Sequence, residues 1–112
     1  MNTPQAIKIP KDLAECFQQL DELLLPKELQ EFMVGTEDDI SDYHHGLGQW
    51  MRNSWELWHN SILSQFFQKM GIWHADDMSG IILLSFHRFL NQKQVDIDGQ
   101  VKFYKDFWDK NK

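Results

Sequence analysis

The residues best suited to chemistry gather in GLGQWMRNSWELW, residues 46–58, where three tryptophans surround an adjacent Arg52 and Asn53. A guanidinium beside an indole can stack on the ring and still fork onto a carboxylate. The nearest carboxylates in a suitable setting are Asp76 and Asp77, just ahead of an apolar helical run. Arg52 is therefore expected to tie the tryptophan helix to the turn before that run. Two readings stay open for this pairing. It is a structural ion pair, or it is a recognition site for an anionic group with His45, Asn53 and His74 beside it.

Other chemistry finds less support. The five histidines do not form a metal-binding pattern. His44 and His45 are adjacent, so on a helix they point about 100° apart, and His59, His74 and His87 lack a partner four residues away. DIDG at 96–99 begins like a calcium loop, but its glycine comes too early and no glutamate stands at the twelfth position. Cys16 sits in a helical pattern without a local base, and no glycine pattern of a nucleophile elbow occurs. Ser79 and Ser85 lie on the apolar run and are expected to bond to backbone. No catalytic residue, metal or cofactor is assigned, and the reading leans away from an enzyme.

The elements that must position these groups are helical. Pro10 is expected in the first turn of a helix carrying Leu13, Phe17, Leu20 and Leu24 on one face. Pro26 starts a second helix with Leu29, Phe32 and Met33, and Gly35 stops it. Thr36 with Glu37, Asp38 and Asp39 reads as an N-cap and acidic first turn of a helix reaching His44. Gly46 and Gly48 interrupt the pattern, marking a chain break or a close backbone approach. From Leu47 onward, Trp50, Met51, Trp55, Leu57 and Trp58 share one broad helical face, with Arg52 and Asn53 at its flanks. Gly46, Gly48, Trp50, Trp55 and Trp58 are thus expected to be structural. Ser61 caps a helix ending at Gly71. Residues 76–91 form a helix apolar nearly all round, hence central. Asp96 or Asp98 opens a last helix with Val101, Tyr104 and Trp108 on one face and Phe103 and Phe107 beside it.

No convincing alternation of period two appears. The expected architecture is all-α: a single domain over residues 10–112, five to six short helices around the central one, preceded by a flexible segment at 1–9. With 112 residues and 42% hydrophobic side chains, the chain can bury roughly 65% of its unfolded surface without disulfide staples. The net charge of −6 and the scattered lysines argue against nucleic acid and for a basic protein partner. A single cysteine and no long apolar run point to a reducing, cytoplasmic setting with no membrane span.

HHGLGQWMRNSWELW, HADDMSGIIL and DGQVKFYKDFW together resemble the motif line of a family of small, mostly bacterial single-domain proteins known only as a domain of unknown function. The N-terminal IPKDLAECFQQLDELLL is similar to its opening helix, so the resemblance spans nearly the whole chain. It implies that His45, Gly46, Gly48, Arg52, Asn53, Trp55, Trp58, Asp76, Asp77 and Ser79 are the family positions. It implies no reaction and no ligand. The functional expectation is a non-catalytic binding protein, of the immunity or antitoxin kind, that docks on a basic partner. The alternative is a small enzyme or ligand-binding domain using a polar pocket around His45, Arg52 and Asp76/Asp77. The residues do not specify an oligomeric state.

Overall fold

Asp12 sets the first helix. Its carboxylate accepts from the Glu15 N–H at 3.0 Å, so α1 runs Leu13–Leu23 and Pro10 lies ahead of it rather than in its first turn. The cap wins because it satisfies a free backbone donor that a proline at position 10 leaves untouched. Pro26 opens α2 (Pro26–Val34), where the Glu28 carboxylate reaches back to the Leu25 N–H, and Gly35 follows its end. The computed structural model describes residues 8–111. The expected flexible segment therefore lies mostly outside the described residues, although Ile9 packs against the core.

The next stretch departs from the expectation of an α-helix followed by a break. Thr36 and Asp39 form a capping box, with the Thr36 N–H donating to Asp39 at 2.8 Å. The turn that follows is a 3₁₀-helix over Glu37–Tyr43, which passes into a π-helical turn over His44–Gly48 and then into α3 (Gln49–Ser54). Chain direction is kept and the winding changes. Neither glycine stops the chain, and only Gly48 supplies room that its neighbours need. A Cβ on Gly48 would come 3.0 Å from Arg52 Nη1 and 3.2 Å from the Tyr43 carbonyl, whereas one on Gly46 would meet nothing within 4 Å.

α3 ends at Ser54, earlier than its apolar period suggests. Glu56 takes a left-handed conformation (φ 53°), and the Leu57 N–H turns back to the Arg52 carbonyl. The helical face that would have buried Trp58 is lost at this turn. Leu57 is buried instead, and Trp58 is 57% exposed. Trp55 is fully buried, and Trp50 packs edge-on against it with ring centres 5.5 Å apart.

Ser61 caps α4 (Ile62–Gln68) through the Ser64 N–H, and Gly71 (φ 93°) redirects the chain. α5 (Ala75–Leu90) is the central helix, with Met78, Ile81, Ile82, Leu83 and Phe86 buried. Every other helical element packs against it. Asp96 then opens α6 (Ile97–Lys110) by accepting from the Gly99 N–H. The chain is an all-α single domain with six α-helices among the described residues. Its radius of gyration, 13.5 Å, is that of one packed domain of this length (about 13 Å).

Candidate functional site

Arg52 comes from the last turn of α3 and lies 4% exposed, inside the angle between that helix, the π-helical turn and the start of α5. Its Nη1 donates to Ser79 Oγ at 2.8 Å and its Nη2 to the His44 carbonyl at 3.0 Å. Ser79 Oγ in turn donates to the Asp76 carbonyl at 3.0 Å. Arg52 Nε lies 3.4 Å from Asp76 Oδ1, close enough for an ion pair, yet it makes no hydrogen bond. The Asp76 side chain is 56% exposed, so water screens that attraction. The two neutral-acceptor bonds therefore hold the guanidinium, and the carboxylate balances its charge.

His44 completes the cluster. Its Nδ1 lies 3.5 Å from Arg52 Nη1, and a guanidinium only donates. Nδ1 can accept there, and Nε2 faces Asp76 Oδ1 at 3.8 Å. His45, expected in this role, is exposed and meets His44 edge-on at 4.9 Å. Asn53 is also exposed, and its backbone carbonyl accepts from Glu56.

The proposed polar pocket of His45, Arg52, Asp76 and Asp77 is not assembled. Consecutive helical positions point about 100° apart. Asp76 therefore turns to Arg52 while Asp77 turns to α6 and accepts from Trp108 Nε1 at 2.8 Å. His74 goes with Asp77, its ring stacked on Trp108 with centres 4.0 Å apart and planes 17° apart. Arg52 has its hydrogen-bonding edge turned inward and little surface to offer an outside anion. Cys16 is fully buried, and burial, aided by Asp12 and Glu15, pushes its thiol far above the ordinary range. It stays protonated and inert. Among the described residues, no three His, Cys, Asp or Glu side chains are gathered where they could hold a metal ion.

The second cluster borders an open cleft of about 450 Å³ between residues 71–74 and α6. Gly71, Trp73, His74, Asp77, Lys105 and Trp108 are among the residues that line it. The Lys105 stem lies across Gly71, where a Cβ would come 3.2 Å from Lys105 Cε. Further large rings are uncovered in and around α6. Trp73, Phe103, Phe107 and Trp108 are 68%, 64%, 47% and 40% exposed. Phe103 and Phe107 are four apart on α6 and share a side. Phe107 meets Trp108 edge-on at 5.2 Å, and Trp108 stacks on His74.

Sequence reasoning placed Trp108 on the inward face and passed over Trp73 and Lys105. The available signal was Trp73 itself, a large ring in the turn between Gly71 and the start of α5, off any helical face. His44 was passed over for its neighbour, because the π-helical turn that sets which ring faces inward is not visible in a hydrophobic period.

The family described as Domain of unknown function (DUF6794) matches residues 9–90. The match ends where α5 ends, so it contains the Arg52 cluster and one wall of the cleft. DGQVKFYKDFW, which was expected to belong to the family pattern, falls outside it, and with it α6. No curated protein and no solved structure matches the chain.

Proposed function

We propose a function for a chain that belongs to the family described as Domain of unknown function (DUF6794): it is a non-catalytic module that docks on a basic protein partner, as immunity and antitoxin factors do. The observation that carries this reading is the set of uncovered aromatic rings at Trp73, Phe103, Phe107 and Trp108. Solvent-facing Phe and Trp cost solubility, and aromatic rings of this kind supply most of the energy at protein interfaces. Charge selects the partner. Residues 21–42 carry eight carboxylates and one lysine, within a chain of net charge −6. Such a field draws in a basic protein and disfavours an acidic one. The single buried cysteine fits a cytoplasmic setting, and no helix among the described residues is long and apolar enough to cross a membrane.

The enzyme or ligand-pocket reading around His45, Arg52 and Asp76/Asp77 finds less support, because those groups are bonded internally or turned apart. The docking reading is tested with Phe103→Ser/Phe107→Ser, a change confined to exposed rings. At low salt the wild-type chain should capture a basic partner at fixed stoichiometry from its native host, and the variant should not, with unchanged circular dichroism. Absence of any stoichiometric partner, or equal capture by the variant, overturns the reading. Light scattering on the isolated chain separates this from self-association, in which these rings would be covered by a second copy.

A further inference from the structure

We propose that the cleft between residues 71–74 and α6 is a binding site for a guanidinium group, the side chain of an arginine on the protein partner. This deepens the docking reading and rests on it. The cleft's volume, about 450 Å³, lies within the range of small-group binding sites (roughly 300–1,000 Å³). Its walls decide what it takes. Trp73 and Trp108 line it with indole rings, one face of Trp108 being taken up by His74, and the electron-rich faces left open attract cations and repel anions. A planar guanidinium suits them better than an ammonium, since it stacks on a ring while its edge forks onto a carboxylate.

Asp77 supplies that carboxylate. Its Oδ2 accepts from Trp108 Nε1 at 2.8 Å, which fixes the indole, and a carboxylate has lone pairs for further donors. Lys105 is the one lysine or arginine among the lining residues and opposes the site, but its stem is laid across Gly71. The site is built jointly. Trp73 and Asp77 come from the region the family matches, and Trp108 comes from the helix beyond it.

The test is a two-dimensional NMR titration that follows the indole N–H signals of Trp73 and Trp108. The probes are N-acetyl-arginine methylamide, its lysine counterpart and its glutamate counterpart at one ionic strength. The arginine probe should shift both signals, the lysine probe less, and the glutamate probe neither. Asp77→Asn keeps a carbonyl acceptor for Trp108 but removes the charge, and should weaken arginine binding about tenfold. Lys105→Gln should tighten it. The proposal falls if the glutamate probe moves the indoles as strongly, if arginine at about 100 mM moves neither, or if Asp77→Asn binds as tightly as wild type. Failure here with capture still dependent on Phe103 and Phe107 leaves docking intact without this anchor. Arginine binding with no captured partner leaves the cation site and removes the docking reading.

Discussion

A buried arginine is held by whichever of its partners is itself out of water. For Arg52 those are Ser79 and the His44 carbonyl, not the half-exposed Asp76. The ranking gives a testable order. Asp76→Asn should cost less than about 1 kcal/mol, the worth of a screened ion pair. Ser79→Ala leaves a buried guanidinium N–H short of an acceptor and should cost about 1–3 kcal/mol. Arg52→Ala removes the hub, strands the His44 carbonyl and opens a void, and should cost about 3–5 kcal/mol. Arg52→Lys should fall between, since one ammonium cannot fork to both acceptors. Urea denaturation measures all four, and an Asp76→Asn loss exceeding that of Ser79→Ala would reverse the order. A second ion pair sets a pH dependence. Arg88 donates twice to Glu37, both at 3.1 Å, and these bonds hold the Glu37 carboxyl below its ordinary 4.5. A depressed carboxyl stabilises the fold above its unfolded value, and that contribution disappears as pH falls through the lowered folded value. Glu37→Gln should thus be less stable than wild type at neutral pH, by no more than about 1 kcal/mol because Glu37 is partly solvated. Melting curves of the two should converge in acid below 4.5, and a gap that persists there would show that the loss is not electrostatic.

At the scale of elements, two glycines do opposite work from their neighbours. Gly48 is enclosed by Arg52, Tyr43 and Leu83, whereas Gly46 faces open space in the same π-helical turn. Gly48→Ala should therefore destabilise, and Gly46→Ala should be neutral or gain up to about 1 kcal/mol from helix propensity. Gly80 marks where α6 lies on α5. A Cβ there would stand 2.7 Å from the Tyr104 hydroxyl and 3.7 Å from its ring carbon, so the oxygen alone is too close. Gly80→Ala is expected to destabilise the wild type and to stabilise a Tyr104→Phe background, a change of sign that thermal melts of the four proteins would reveal. Equal effects in both backgrounds would mean that α6 shifts freely. These elements also show what the residues disclosed. The central helix was legible because Met78, Ile81, Ile82 and Phe86 repeat on a face broad enough to demand burial all round, and the caps at Ser61 and Asp96 were legible from side-chain chemistry. The passage from 3₁₀ to π winding between Glu37 and Gly48 was not, since it depends on Gly48 fitting beneath a guanidinium that arrives from four residues later. Trp58 was misplaced for a related reason. A hydrophobic period continues through residue 58, but a single left-handed residue, Glu56, ends the helix, and no pattern of apolar spacing records that turn.

Across the whole molecule, acidity is concentrated in one part of the chain, while exposed aromatic rings occur in both. The matched region, residues 9–90, holds thirteen of the seventeen carboxylates against five of the eleven lysines and arginines, while residues 91–112 hold four carboxylates and five lysines. The acidic part contains the packed core and exposes Trp58, Trp73 and Phe89, and the near-neutral part displays Phe103, Phe107 and Trp108. A partner would then be attracted by the acidic region and gripped at the exposed rings. Added salt should slow association, and loss of Phe103 and Phe107 should speed dissociation. The same division bears on folding. Gln100 is the one buried residue of α6, bonded through its amide to Ser85 Oγ and the Val95 carbonyl. The helix otherwise rests on α5 through half-buried Val101 and Tyr104. Removing residues 96–112 should leave α1 to α5 folded and cooperative, because Trp55, Phe32, Phe67 and Phe86 keep their neighbours. It should lower the melting temperature, because Ser85 loses its partner and one side of α5 meets water. Circular dichroism should show helix lost only in proportion to α6, and partner capture should be abolished. A truncated chain without a cooperative melt would place α6 inside the folding unit, and the acidic core and the aromatic helix would then have to be treated as one indivisible body.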